Sequence, residues 1–124
     1  MSWAIFNCAC CCNREGCTLL CRYGPGFANL GIDLIWGWTW QDDEDWARTL
    51  RTVVGLNPEH ISCYQLTLEP NTVFHTRPPA GLPDEERMWD IQDAGAAMLE
   101  AAGFRQYEVS AWARSGRECR HNLN

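Results

Sequence analysis

Two short apolar runs bracket one amphipathic stretch, and that arrangement leaves few folds open to this chain. LGIDLIWG, residues 30–37, is rich in branched residues and has the text of a buried strand. DDEDWARTLRTVVGL follows, with Trp46, Leu50, Val53 and Val54 at helical spacing. Asp42 stands where an N-cap is needed, and Asp43, Glu44 and Asp45 face the positive end of the helix dipole. Gly55 and Asn57-Pro58 stop the helix, and HISCYQLTL, residues 60–68, is a second strand. Strand, helix and strand joined by short links predict a βαβ unit with parallel strands and a right-handed crossover.

Beyond it, residues 69–83 are Pro-rich and too polar and broken for a regular element. Asp84 caps a long helix through Ala102, with Met88, Ile91, Met98 and Leu99 on its apolar stripe and Gly103 ending it. QYEVSAWA, residues 106–113, alternates as a third strand. Parallel strands are normally covered on both faces, so this short set of elements implies a piece of a larger α/β protein.

At 124 residues the chain has room for one small domain with one core. A formal charge of −6 argues against a nucleic-acid partner, which would favour a basic surface. No apolar run reaches the roughly twenty residues of a membrane span, and no basic stretch leads into an apolar one as in a signal peptide. A cytoplasmic location is expected. There thiols stay reduced, so CACCCNREGCTLLC, with six of the eight cysteines in residues 8–21, suggests metal rather than disulfides. Residues 1–26 otherwise show no usable period, and no strand is expected before Cys8. The expected division is a Cys-rich, disordered leader over 1–26 and a folded segment over 27–124.

The folded segment resembles a known family. GFANLGIDLIWG, EHISCYQLTLEPNTVFHTRPP, GFRQYEVSAWAR and CRHNLN are similar to the later barrel strands of the oxygen-independent coproporphyrinogen III oxidase-like radical SAM proteins, in the branch of the HemW-type haem chaperones. The resemblance is collinear and covers nearly four fifths of the chain. It implies an α/β fold: an incomplete radical SAM (β/α)6 barrel, with its last β/α units plus a following strand. It also implies a 4Fe–4S cluster, S-adenosylmethionine and haem as cofactors, and haem or porphyrinogen as what the parent proteins handle. The family's cluster motif is C-x3-C-x2-C. Here Cys8 and Cys12 are four apart with Glu15 three further on, and Cys17 and Cys21 are four apart with Gly24 three further on. The motif fails at both tries, so no metal ligands and no catalytic residues are assigned. CACCC remains able to take up zinc or copper as a soft thiolate set.

Four residues make up the cofactor-binding set. Asp33 lies inside an apolar strand, where a carboxylate is buried unless it meets a polar cavity or a ligand. The resemblance implies that it hydrogen-bonds the ribose hydroxyls of S-adenosylmethionine, while the plainer reading is a carboxylate bonded to nearby backbone N–H groups. Gly37 opens the next loop, where Trp38-Thr39-Trp40-Gln41 replaces the family's Leu-Pro-Gly-Gln. The Pro and Gly that shape a tight turn are gone, and the two Trp rings are either a block at the barrel mouth or plain surface residues. Gln65 shares a strand face with Ile61, Cys63 and Thr67, a set that fits a barrel interior, and is either a ligand or a satisfied strand residue. His121 lies in RHNLN, which looks like the start of an HNxxYW motif whose His is associated with haem; its Tyr-Trp half is absent from this sequence. His60 and His75 are expected at the surface.

The expected function is that of a HemW-like radical SAM fragment, catalytically inactive as this chain. The alternatives are a small haem- or metal-binding module using His121 and the N-terminal cysteines, and a remnant without function.

Overall fold

The computed structural model describes residues 3–8, 30–39 and 41–119. Among them, β1 (Trp3–Cys8), β2 (Leu30–Trp36), α1 (Asp43–Gly55), β3 (His60–Gln65), α2 (Val73–Thr76), α3 (Glu85–Ala101), β4 (Arg105–Glu108) and β5 (Ala111–Ala113) follow in chain order. The strands form an open sheet in the order β1-β2-β3-β5-β4.

The predicted βαβ unit is present. β2 and β3 run parallel with Ile32 beside Ile61 and Leu34 beside Cys63. β2 alternates strictly: Leu30, Ile32, Leu34 and Trp36 are buried, while Gly31, Asp33 and Ile35 are half-buried on the other face. α1 is N-capped by Asp42, whose carboxylate accepts from the Asp45 N–H at 2.8 Å. Trp46, Leu50 and Val53 of α1 and Ile91 and Leu99 of α3 form one core with the buried side of β2, Ile61, Phe104 and Trp112. α1 and α3 also pack on each other, so both helices lie on the same face of the sheet. Each fully buried Leu or Ile in that layer contributes on the order of 2 kcal/mol relative to exposure.

Several expectations are corrected. A strand does precede Cys8: β1 pairs antiparallel with β2, with Ile5 opposite Asp33. WAIF is a short apolar run at the head of the leader, too brief to stand out by its period. The other leader residues, 1–2 and 9–26, and residues 27–29 lie outside the described residues. β3 stops at Gln65 rather than Leu68, because its partner β2 stops at Trp36; the last backbone bond between them is Leu66 N–H to the Trp36 carbonyl at 2.8 Å.

Residues 69–83 contain a single helical turn, α2, whose N-cap Thr72 accepts from the His75 N–H. The third strand is a hairpin of two short arms, β4 and β5, turning at Val109-Ser110. Two arms of a hairpin keep the period-two alternation of one strand, and no Gly or Asn marks the turn. β5, the later arm, pairs antiparallel with β3.

Arg114 fastens the far end of this layer. Its guanidinium donates to the carbonyls of Pro58 (3.2 Å) and Ala102 (3.3 Å) and to Asn57 Oδ1 (3.2 Å), and it lies 4.4 Å from the centre of the Phe104 ring.

The two helices pack closely at Gly95: a Cβ there would sit 2.6 Å from Trp46 Nε1 and 3.4 Å from Leu50 Cδ1. Ala in a helix interior ordinarily stabilises by up to about 1 kcal/mol over Gly, but overpacking a filled core costs about 1–3 kcal/mol. Gly95→Ala is therefore expected to lower stability by about 1 kcal/mol in urea unfolding, and a raised midpoint would show that Trp46 moves aside freely.

Candidate functional site

With both helices on one side, the other side of the parallel pair carries Gly31, Asp33 and Ile35 from β2 and His60, Ser62 and Tyr64 from β3, in register. Residues adjacent in a parallel ladder share a face. Asp33 lies beside Ser62, which is only 4% exposed, so the carboxylate stands next to a buried hydroxyl-bearing residue. The strand alternation that buries Ile32 and Leu34 in the core is thus what presents Asp33 on the opposite face.

His60 is half-buried rather than a surface residue. Its Nε2 is 2.5 Å from Tyr107 Oη, and the two rings meet edge to face at 5.6 Å. The same hydroxyl accepts the Cys119 N–H at 3.1 Å, and its remaining lone pair and its proton allow it to accept from or donate to the imidazole, according to the His60 tautomer. Burial pushes the His60 imidazole below its ordinary 6.5, against the raising pull of Asp33 and Glu108. Cys63, on the helix side, is also affected: burial pushes its thiol up to about 12, and Asp33 adds to the rise. It is held as a neutral thiol, a poor metal ligand and nucleophile.

Gly37 follows the strand that carries Asp33. Its φ of +88° is in the left-handed region, and its N–H donates to the buried Gln41 Oε1 at 2.8 Å. A Cβ at Gly37 would come within 2.8 Å of Met88 Cε. The turn is therefore kept by Gly37 and the Gln41 carboxamide without the Pro and Gly of the Leu-Pro-Gly-Gln pattern. Trp38 is half-buried, and its Nε1–H is buried with no hydrogen-bond partner among the described residues; Trp40 lies outside them.

Gln65 does not join Asp33. It is in register with Trp36 and shares the helix-side face with Ile61 and Cys63, so the face the sequence assigned to a barrel interior is the one the helices cover. His121 lies outside the described residues. His75 is exposed, as expected. The residue that sequence reasoning missed is Tyr107; its alternation within QYEVSAWA was visible, but its pairing with His60 depends on the hairpin. Among the described residues, no three of His, Cys, Asp and Glu come together in a way that could hold a metal ion. No helix among them is long and apolar enough to cross a membrane.

No protein-family model matches the chain. The haem chaperone HemW of Escherichia coli (strain K12) is 48% identical over 101 residues, covering 82% of this chain and 26% of that protein. HemW of Haemophilus influenzae is 48% identical over 99 residues, 80% of this chain and 26% of that protein. HemW of Bacillus subtilis (strain 168) is 36% identical over 101 residues. The chain thus spans about a quarter of the length of these curated relatives. Among solved structures, coproporphyrinogen III oxidase (HemN) from Escherichia coli, described as a radical SAM enzyme, superposes with a TM-score of 0.67 at 32% identity, covering 75% of this chain and 22% of that one.

The depressed His60 gives a pH dependence of known sign. Its contribution to stability is present above the ordinary 6.5 and is lost as pH falls through the lower folded-state value, because the unfolded chain binds the proton more readily. The urea midpoint of the wild type is expected to fall more steeply between about pH 7.5 and 5.5 than that of His60→Gln; parallel falls would remove His60 as the cause.

Proposed function

We propose, because this chain is homologous to the HemW haem chaperones and the HemN-like radical SAM proteins and matches a fragment of them, that it is the barrel sector that meets S-adenosylmethionine and haem. In such proteins a 4Fe–4S cluster with bound S-adenosylmethionine supplies radical chemistry. The sequence does not carry the C-x3-C-x2-C spacing that such a cluster uses: Cys8 and Cys12 are followed three positions on by Glu15, and Cys17 and Cys21 by Gly24. No step of this reading runs through one, and the chain is assigned no catalysis of its own. Its place is the cytoplasm.

The observation that supports the reading is Asp33 on the sheet face that no described helix covers, beside Ser62 and midway along a parallel strand whose carboxyl end turns at Gly37. In barrels the working residues project toward the carboxyl ends of strands. A carboxylate there is a two-oxygen acceptor suited to the vicinal hydroxyls of a ribose. Gly37, three positions past Leu34, closes the turn at that end, with Met88 packed against it. Gln65, on the helix side, has no part in this contact. His121 is the proposed haem contact, its imidazole nitrogen being a suitable axial ligand for iron.

Two measurements test the reading. Equilibrium dialysis of the full chain with labelled S-adenosylmethionine is expected to give binding that Asp33→Asn weakens about tenfold or more, the scale of a hydrogen bond to a charged acceptor. Equal binding by both proteins would take Asp33 out of the role. In a haem titration, a shifted Soret band is expected for the wild type and not for His121→Ala; an unchanged spectrum in the variant would assign haem to another ligand.

A further inference from the structure

A recess lies on the opposite side of the sheet from Asp33, between the carboxyl end of β3, α3 and the β4–β5 hairpin. Its volume is about 160 Å³. Trp36, Trp46 and Trp112 are among its lining residues, each 3–5% exposed. Gln65, Asp93 and Gln106, all exposed, stand around its mouth. No Lys, Arg or His is among the described residues that line it.

That composition selects a ligand class. An anion would meet a carboxylate and no cation. A purely apolar guest would leave the amides and Asp93 unused at the mouth, where water serves them better. A small organic cation satisfies both parts. Indole rings attract cations through their quadrupole, Trp more than Tyr or Phe, and quaternary ammonium groups are recognised by aromatic enclosures of this kind. The carboxylate adds a charge of the required sign, and the carboxamide oxygens accept from any N–H or O–H the ligand carries. The size also fits: a cavity of about 150 Å³ holds benzene, a molecule of about six heavy atoms, and a tetramethylammonium or choline headgroup is of the same order.

We propose that this recess binds a small organic ammonium ion, with the three indoles as its aromatic lining and Asp93 as its counter-charge. The site is independent of the cofactor reading, since it lies on the other face of the sheet and shares no residue with Asp33, Gly37 or His121.

The test is an NMR titration of the full chain, following the indole N–H signals, with choline chloride and, at matched ionic strength, with its neutral isostere 3,3-dimethylbutan-1-ol. Choline is expected to shift the Trp36, Trp46 and Trp112 signals saturably with a Kd in the millimolar range, while the isostere gives no saturating shift. Asp93→Asn, an exposed helix position that leaves the core intact, is expected to raise the choline Kd about two- to fivefold, the scale of a partly exposed ion pair. Three results overturn the proposal: no choline-dependent shift, isostere binding as tight as choline, or a choline Kd unchanged in Asp93→Asn.

Discussion

The packing of α1 and α3 together on one face of the β2–β3 pair is the constraint from which the rest of the structure follows. Crossovers of the same hand that advance in one direction across a sheet, as from β2 to β3 to β4, place their helices on the same side. Trp46, Leu50, Ile91 and Leu99 then fill the space above Ile32, Leu34 and Ile61. The close passage of the Trp46 indole beneath Gly95 sets how near the two helices can come. Arg114, donating to the Pro58 and Ala102 carbonyls, ties the ends of the α1–β3 loop and of α3 to the strand that precedes it. The helix layer is thereby a single block, and the two faces of the sheet acquire different chemistry.

One carboxylate dominates the face without helices. Asp33 is half-buried, where the field of a charge is less screened than in water. It pulls the His60 imidazole upward while burial pushes it down, and burial wins. Through the sheet it acts in the same direction as burial on Cys63 and helps keep that thiol protonated. The His60–Tyr107 pair, completed by the Cys119 N–H, joins the start of β3 to the hairpin and the segment beyond it. A strand end that the sequence marks as peripheral is thus part of a connected polar group.

The relatives are about four times longer than the stretch they share with this chain. The HemN barrel superposes over 75% of this chain, so what is shared is a sector of a barrel. A sector of this kind keeps the residues that project from its own strands. Of the described thiols, Cys63 is held protonated within the sheet and Cys119 is exposed.

Local signals were legible wherever one residue type answers one local need. Asp42 and Asp84 cap helices because a short carboxylate reaches the N–H groups of the first turn, and both do so here. The branched alternation of LGIDLIW required a strand with one buried face, and the helical spacing of Trp46, Leu50 and Val53 required a helix to bury it. The Asp inside that strand was visible as an anomaly for the same reason. What the sequence could not convey is which face of β3 the helices would take, and so Gln65 was grouped with Asp33 when it lies across the sheet from it. Alternation has two phases, and only the register with β2 chooses between them. The pairing of Tyr107 with His60 and the convergence of three indoles and Asp93 on one recess likewise join segments distant in sequence. The chain by itself determined its two long helices, the two strands that α1 joins and the carboxylate placed within the first of them, because these rest on neighbours within a few residues. Tertiary packing alone decided which side chains share a face, because that depends on how separate elements are brought into register.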